Sequence, residues 1–211
     1  MEKIYQEIEK EISGERIKKI ATELWQIDRW FTFPKFHQSA KLSKEEMEKI
    51  GLNNVEILQY EADGKTKYAD YINPQAWDAK DAELKIIEPK NSSRLLASYK
   101  EIPQSLFMYS GPTPKEGIIS EVILFEDGSK EKDYQGKNIK GKIVLTSKNP
   151  QAIWRLVRKY GASGILYTNL FQDGIHWENY CFVPKNDKNM FGFSISGEDG
   201  NCLLYTSDAA D

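Results

Sequence analysis

The stretch GKIVLTSKNPQAIWRLVRKYGASGILYT, residues 141–168, decides the fold. Ile143, Val144 and Leu145 lie in a short β-branched apolar run, the composition of a buried strand. Asn149 stands where an N-cap belongs, and Pro150 follows at the first helical position, where its missing N–H costs nothing. Ile153, Leu156, Val157 and Tyr160 then recur at helical spacing and form one apolar stripe. Gly161 is placed to end the helix, and Gly164 opens a second apolar run, Ile165-Leu166-Tyr167-Thr168. Strand, helix and strand in under 30 residues predict a compact βαβ crossover, right-handed if the strands are parallel.

Upstream of this unit the texture is different. Ile4, Ile8 and Ile12 are four apart among charges and predict a short amphipathic helix, broken at Ser13-Gly14. Ile17, Ile20, Leu24 and Ile27 extend a second helical stripe, with Trp25 and Trp30 as ordinary packing bulk beside it. Pro34 is expected to end that run. Ser43-Lys44-Glu45-Glu46 has the form of a capping box and predicts a new short helix closed by Gly51. Val55–Tyr60 and Tyr68–Ile72 read as two strands of a hairpin turning at Asp63-Gly64. After the turn signal Asn73-Pro74, short strands are expected at Leu84–Ile87, Ser105–Tyr109 and Ile118–Phe125, with turns at Asp127-Gly128 and Gly136. The pattern predicts an α+β or α/β fold: an open β-barrel or sandwich with flanking helices, preceded by an N-terminal helical segment and a β-hairpin.

A length of 211 residues, 40% hydrophobic and 12% aromatic, can bury a sizeable core. Acidic and basic residues nearly balance and are interspersed, so no nucleic-acid footprint stands out and no nucleic-acid partner is expected. No apolar run approaches the ~20 residues needed to span a bilayer, so no membrane partner is expected either. Met1–Glu7 lacks the apolar core of a signal peptide, which predicts a cytoplasmic protein. Cys202–Asp211 looks like one reading frame of a sequencing-library adapter, so residues 201–211 are expected to be a non-native tail. Without Asp208 and Asp211 the formal charge changes from −3 to −1, and Cys181 is left as the one genuine cysteine, which forbids an internal disulfide. The natural protein is then expected to continue past Gly200.

Gly141-Lys-Ile-Val-Leu, the helix after it, and Gly161-Ala-Ser-Gly-Ile-Leu-Tyr resemble the core of a protease-associated (PA) domain. Gly117-Ile-Ile-Ser-Glu-Val-Ile and Gly192-Phe-Ser-Ile-Ser resemble its flanking strands, and the resemblance covers roughly residues 82–198. The helices, glycine and strand before it are similar, in order and spacing, to the leading segment of zinc-dependent aminopeptidases. This resemblance implies residues 1–80 as the front of a discontinuous peptidase domain and 81–200 as the PA insert. It implies zinc in the full-length parent, peptide substrates, and metal ligands that fall after the insert.

The residues themselves supply no chemistry. A two-metal site needs clustered His, Asp and Glu ligands, yet the chain has only His37 and His176, neither with a partner at ligand spacing. No Gly-x-Ser-x-Gly elbow occurs, and Cys181 has no evident histidine partner. Gly161–Gly164 follows a helix and precedes a strand, the wrong order for a phosphate cradle. Asp81, Glu83, Asp127 and Asp133 are scattered through turns and read as solvated. No catalytic or metal-binding residue is assigned, and the fragment is expected to be inactive. The one candidate rim that could meet substrate is His176, Trp177 and Glu178, in a polar and aromatic loop; solvent-facing loop residues are the plainer reading. Three functions stay open: a truncated zinc aminopeptidase, a non-enzymatic PA-like peptide-binding or interaction module, and a PA insert of a subtilisin-type peptidase. The N-terminal helices count against the last, and the oligomeric state stays open.

Overall fold

The computed structural model describes residues 2–168, 183 and 189–208. Two compact units divide at Glu61 and Ala62. The first holds three helices, α1 (Glu2–Glu11), α2 (Gly14–Asp28) and α3 (Phe33–Lys49). Ser13 caps α2, its Oγ accepting the Arg16 N–H at 3.2 Å. Pro34 does not end α2. It occupies the first turn of α3, where proline is tolerated, and the break falls earlier, at Phe31 with φ 52°. The expected capping box at Ser43 is overridden too, because α3 runs unbroken through it. Ser43 lies inside α3 with helical residues on both sides, and a cap needs a non-helical residue. Gly51, at φ 89°, closes the segment as expected.

The Val55–Tyr60 strand does not form. Val55 and Ile57 are half-buried and their neighbours exposed, a strand-like alternation, but no strand among the described residues pairs with them. The hairpin is instead β1 (Lys67–Tyr68) against β2 (Tyr71–Ile72), turning at Ala69 with φ 51°. Asp63 draws the chain into that hairpin: its Oδ1 accepts the Lys65 and Thr66 N–H groups at 2.7 and 2.8 Å. Those bonds, from Thr66 foremost, hold the Asp63 carboxyl down to about 2.

The second unit is built on a four-stranded parallel sheet, ordered β5 (Val122–Phe125), β6 (Ile143–Thr146), β7 (Gly164–Thr168) and β8 (Phe191–Ile195). The predicted crossover joins β6 to β7 through α4 (Pro150–Lys159), with Asn149 Oδ1 accepting the Gln151 N–H at 2.9 Å as the N-cap. Alternate residues of each strand serve two cores, which is why the strands read as continuous apolar runs. Val144, Ile165 and Phe125 meet Ile153, Leu156 and Val157 of α4 on one face. Ile143, Leu145, Leu166 and Phe193 face the other way. There they meet an antiparallel hairpin, β3 (Glu83–Ile86) and β4 (Arg94–Ser98), and α5 (Gly197–Asp208). Two glycines permit close stacking, since a Cβ on Gly164 would overlap the Phe191 ring and one on Gly192 the Phe107 ring.

Ser105–Tyr109 is not a regular strand. Pro103 opens a single 3-10 turn, one antiparallel bridge joins Leu106 to Phe193, and Tyr109 at φ 65° ends the alignment. Of the expected Ile118–Phe125 strand only Val122–Phe125 pairs; Ile118 and Ile119 stay exposed. Residues 201–208 continue α5, and Leu203 and Leu204 pack against the hairpin side of the core. The fold is therefore mixed α and β, with a parallel sheet and, among the described residues, no closed barrel.

Candidate functional site

A groove of about 1830 Å³ lies in the second unit, lined by β3 and the residues around it on one side and by Ile118–Leu124 on another. Leu145, Leu166 and Phe193, from the hairpin-facing side of the parallel sheet, also line it. Its apolar rim includes Ile119, which is 82% exposed, and Ile87, which is 46% exposed.

Two strand edges line this groove. Among the described residues β5 is the outer strand of its sheet, paired with β6 alone, and β3 is paired with β4 alone. Ile143 donates its N–H to Glu121 O at 2.9 Å, and Val122 sits opposite Ile143 in the parallel register. Glu121 and Ile123 therefore turn their backbone groups toward β6, while Val122 and Leu124 turn theirs away from it. β5 reads Val-Ile-Leu-Phe, without the charge or proline that usually blunts an edge.

The lining carries six carboxylates, Asp78, Asp81, Glu83, Glu88, Glu116 and Glu121, against four lysines, 80, 85, 140 and 142. Some are paired: Lys85 with Glu83 at 2.6 Å, Lys142 with Glu121 at 2.5 Å, and Asp81 with Lys100 at 2.5 Å. Hydrogen bonds from Lys142 and Lys100 hold the Glu121 and Asp81 carboxyls below the usual carboxylate range. These pairs are exposed, so they set the sign of the rim more than its stability. Tyr99 is pushed up to about 12 by burial and by Asp78 nearby, and it stays a neutral phenol at physiological pH.

A second polar cluster ties the hairpin to α5. Arg94 donates to Asp199 Oδ1 from Nη2 at 2.7 Å and from Nε at 3.2 Å, and its Nη1 reaches Cys202 Sγ at 3.3 Å. Asp199 is itself held by Ser196, whose Oγ accepts the Asp199 N–H at 3.0 Å and donates to Asp199 Oδ2 at 2.7 Å. Every polar atom named here has a protein partner, which makes this a structural clamp.

His176, Trp177 and Glu178, the rim candidates from the sequence, lie outside the described residues, as does Cys181. His37 is half-buried on α3. Among the described residues no group of three His, Cys, Asp or Glu side chains could hold a metal ion. Asp127 and Asp133 fall in and beside a turn, where Asp133 Oδ2 accepts the Lys130 N–H at 3.1 Å. The sequence shows Val122–Phe125 as an uncharged apolar run, but which of its edges stays unpaired is visible only in the sheet order.

No protein-family profile matches the chain, and no curated protein does. Among solved structures the chain is similar to a zinc aminopeptidase from Bacillus subtilis, with 17% identity and a TM-score of 0.50. The likeness covers 89% of this chain and 40% of that one, so the chain spans two fifths of the length of the protein it matches. At this identity the likeness establishes the fold alone. No helix of the described residues is long and apolar enough to cross a membrane.

Proposed function

We propose that the chain is the leading part of a cytoplasmic zinc-dependent aminopeptidase that releases N-terminal residues from peptides. In this reading residues 1–80 belong to the peptidase domain, residues 81–200 form a PA insert that shapes substrate access, and residues 201–211 are a non-native tail. The observation that carries it is the shared fold over 89% of the chain with a zinc aminopeptidase more than twice as long. The described residues offer no donor set for zinc; in this reading the metal ligands follow the insert, and no hydrolytic step is assigned to a described residue.

The test is a pair of assays. The 211-residue chain should release no amino acid from a leucine-p-nitroanilide substrate with zinc supplied. The chain extended to its natural stop should release it and lose that activity to a chelator. Turnover by the shorter chain, or an extended chain that is inert when loaded with zinc, sinks the proposal. A second reading, a non-enzymatic peptide-binding module of PA type, is favoured by the groove with two open strand edges. An extended reading frame that stops early, without clustered His, Asp and Glu codons, would select it.

A further inference from the structure

We infer that Ser105 and Ser194 hold one internal water molecule, which fastens the turn before the groove wall to the outer edge of β8. The inference stands on two buried hydroxyls and their register, and it does not depend on the aminopeptidase reading.

Both serines are 1% exposed, and neither Oγ has a hydrogen-bond partner among the described residues, the other serine included. A hydroxyl buried without a partner carries a free-energy cost that folded proteins avoid, commonly by taking in an ordered water. The two orphans are neighbours. Leu106 bridges Phe193 in the antiparallel sense, so one step along each chain sets Ser105 against Ser194. One step the other way, Phe107 lies over Gly192, and its N–H donates to Gly192 O at 2.9 Å. Alternation puts all four residues on the face turned to α4, because Leu106 and Phe193 belong to the hairpin side.

These two cross-strand pairs are packed differently. At Phe107 and Gly192 a ring fills the space that a Cβ would take. At Ser105 and Ser194 two small side chains meet, and residues opposite each other keep their Cβ atoms about 4.5–5.5 Å apart. Two hydrogen bonds of about 2.8 Å span such a distance through a single oxygen. A water can donate to one Oγ and accept from the other, so it satisfies both hydroxyls at once. Its place also gives it a task. Leu106, Ser110 and Gly111 line the groove, and Pro103–Ser105 is the turn that precedes them. Gly192 N–H donates to Ser110 Oγ at 3.1 Å and Gly111 N–H to Met190 O at 2.8 Å, so the later end of this segment is tied down directly. The water extends that tie to Ser105.

The test pairs crystallography of the whole chain, at a resolution that shows ordered waters, with urea unfolding of Ser105→Ala, Ser194→Ala and the double variant. One density peak is expected within hydrogen-bond distance of both Oγ atoms. Each single change should lower the folding equilibrium constant by about two- to tenfold, since it strands the remaining hydroxyl and the water. The double change should cost less than the product of the two, because both act on one water. The sign of the single changes is decisive: a buried hydroxyl that no water serves has no bond to lose, and alanine in its place would stabilise the fold. Oxygen-17 relaxation dispersion reads the same water in solution without crystals, and the double variant should lose one long-lived molecule. The inference is overturned by a density map with no peak bridging the two serines, or by hydroxyls bonded to each other or to a protein side chain. It is equally overturned by single variants at least as stable as the unmodified chain, or by an unchanged number of long-lived waters in the double variant.

Discussion

At Tyr134 the phenol lies between two rings, Phe125 at 4.6 Å and Tyr160 at 4.8 Å, and donates its O–H to Gly128 O at 2.8 Å. Burial above all, then the nearby Asp133, pushes its pKa up to about 12 from an ordinary 10.0. The sign follows from which state holds the proton. Below pH 10 both the folded and unfolded chains are protonated there, and the contribution to stability is fully present. Between pH 10 and about 12 the unfolded chain releases the proton while the folded one keeps it, so stability falls as pH rises. Denaturant midpoints measured across that window should decline, and the decline should be shallower in Tyr134→Phe. At neutral pH the same variant should lose about 0.5–1.5 kcal/mol, the net worth of one hydrogen bond. Equal alkaline slopes in the two proteins would show that Tyr134 is not the titrating group. Steric control is plainest at Gly192, where the Phe107 ring occupies the space of a Cβ. Gly192→Ala should destabilise by about 1–3 kcal/mol, as overpacking does, and Phe107→Leu should restore part of the loss if that overlap is the cause. Leu156, 5% exposed beneath α4, is the converse case of truncation. Leu156→Ala should cost about 2–5 kcal/mol in urea unfolding, and an unchanged midpoint would refute its packing.

Whole elements were legible wherever local chemistry and burial agreed. β6, α4 and β7 are the clearest instance: the proline and asparagine at the start of α4, the glycine after it and the apolar stripe all specify one answer, and packing on the sheet reinforces it. Val55–Tyr60 shows the limit, because alternation describes a strand's two faces and says nothing of whether a neighbour exists. Ser43 shows another, since a cap motif inside a longer helical period has a competitor at every position. β4 was missed for a related reason: Leu95-Leu96-Ala97 is short and lacks β-branched residues, and its pairing with β3 crosses a bulge between Leu84 and Lys85. The candidate groove was illegible for a stronger reason, since it depends on which strand edge stays unpaired, a property of the sheet rather than of any segment. α5 makes a test at this scale. Ser196 caps it through the Asp199 N–H, and the Arg94 pair with Asp199 joins that cap to β4. Ser196→Ala should therefore cost about 0.5–2 kcal/mol. Combined with Arg94→Met it should cost less than the sum of the two single changes, because both act through Asp199. Strict additivity in a double-mutant cycle would dissolve the clamp into two unrelated contacts.

For the molecule as a whole, the two units differ in how much core they own. The second buries both faces of its sheet. In the first, the described buried residues are Thr32 and Ser39, and α2 buries none fully. Ser39 bonds Asp28 to link α2 and α3, and Ile20, Leu24 and Ile27 are half-covered, yet Ile4 and Ile8 of α1 and Ile12 just after it remain 64%, 49% and 61% exposed. A helix of 10 residues is marginal alone in water, and an uncovered apolar stripe adds nothing to offset its ordering cost. The aminopeptidase proposal supplies a cover for that stripe in the rest of the parent protein; among the described residues the stripe stays exposed. Heating should then melt the chain in two stages. Helical ellipticity from residues 2–49 should fall first, in a broad transition, while the near-ultraviolet signal of the aromatic-rich sheet unit persists to a sharper one. The same exposed stripe should drive concentration-dependent association in sedimentation velocity, as contiguous apolar patches do. Changing Ile4, Ile8 and Ile12 together to lysine should abolish the association and leave the second transition where it was. A single sharp melt in both spectral regions, with a monodisperse monomer at every concentration, would mean that the helical unit already has the partner surface it needs within these residues.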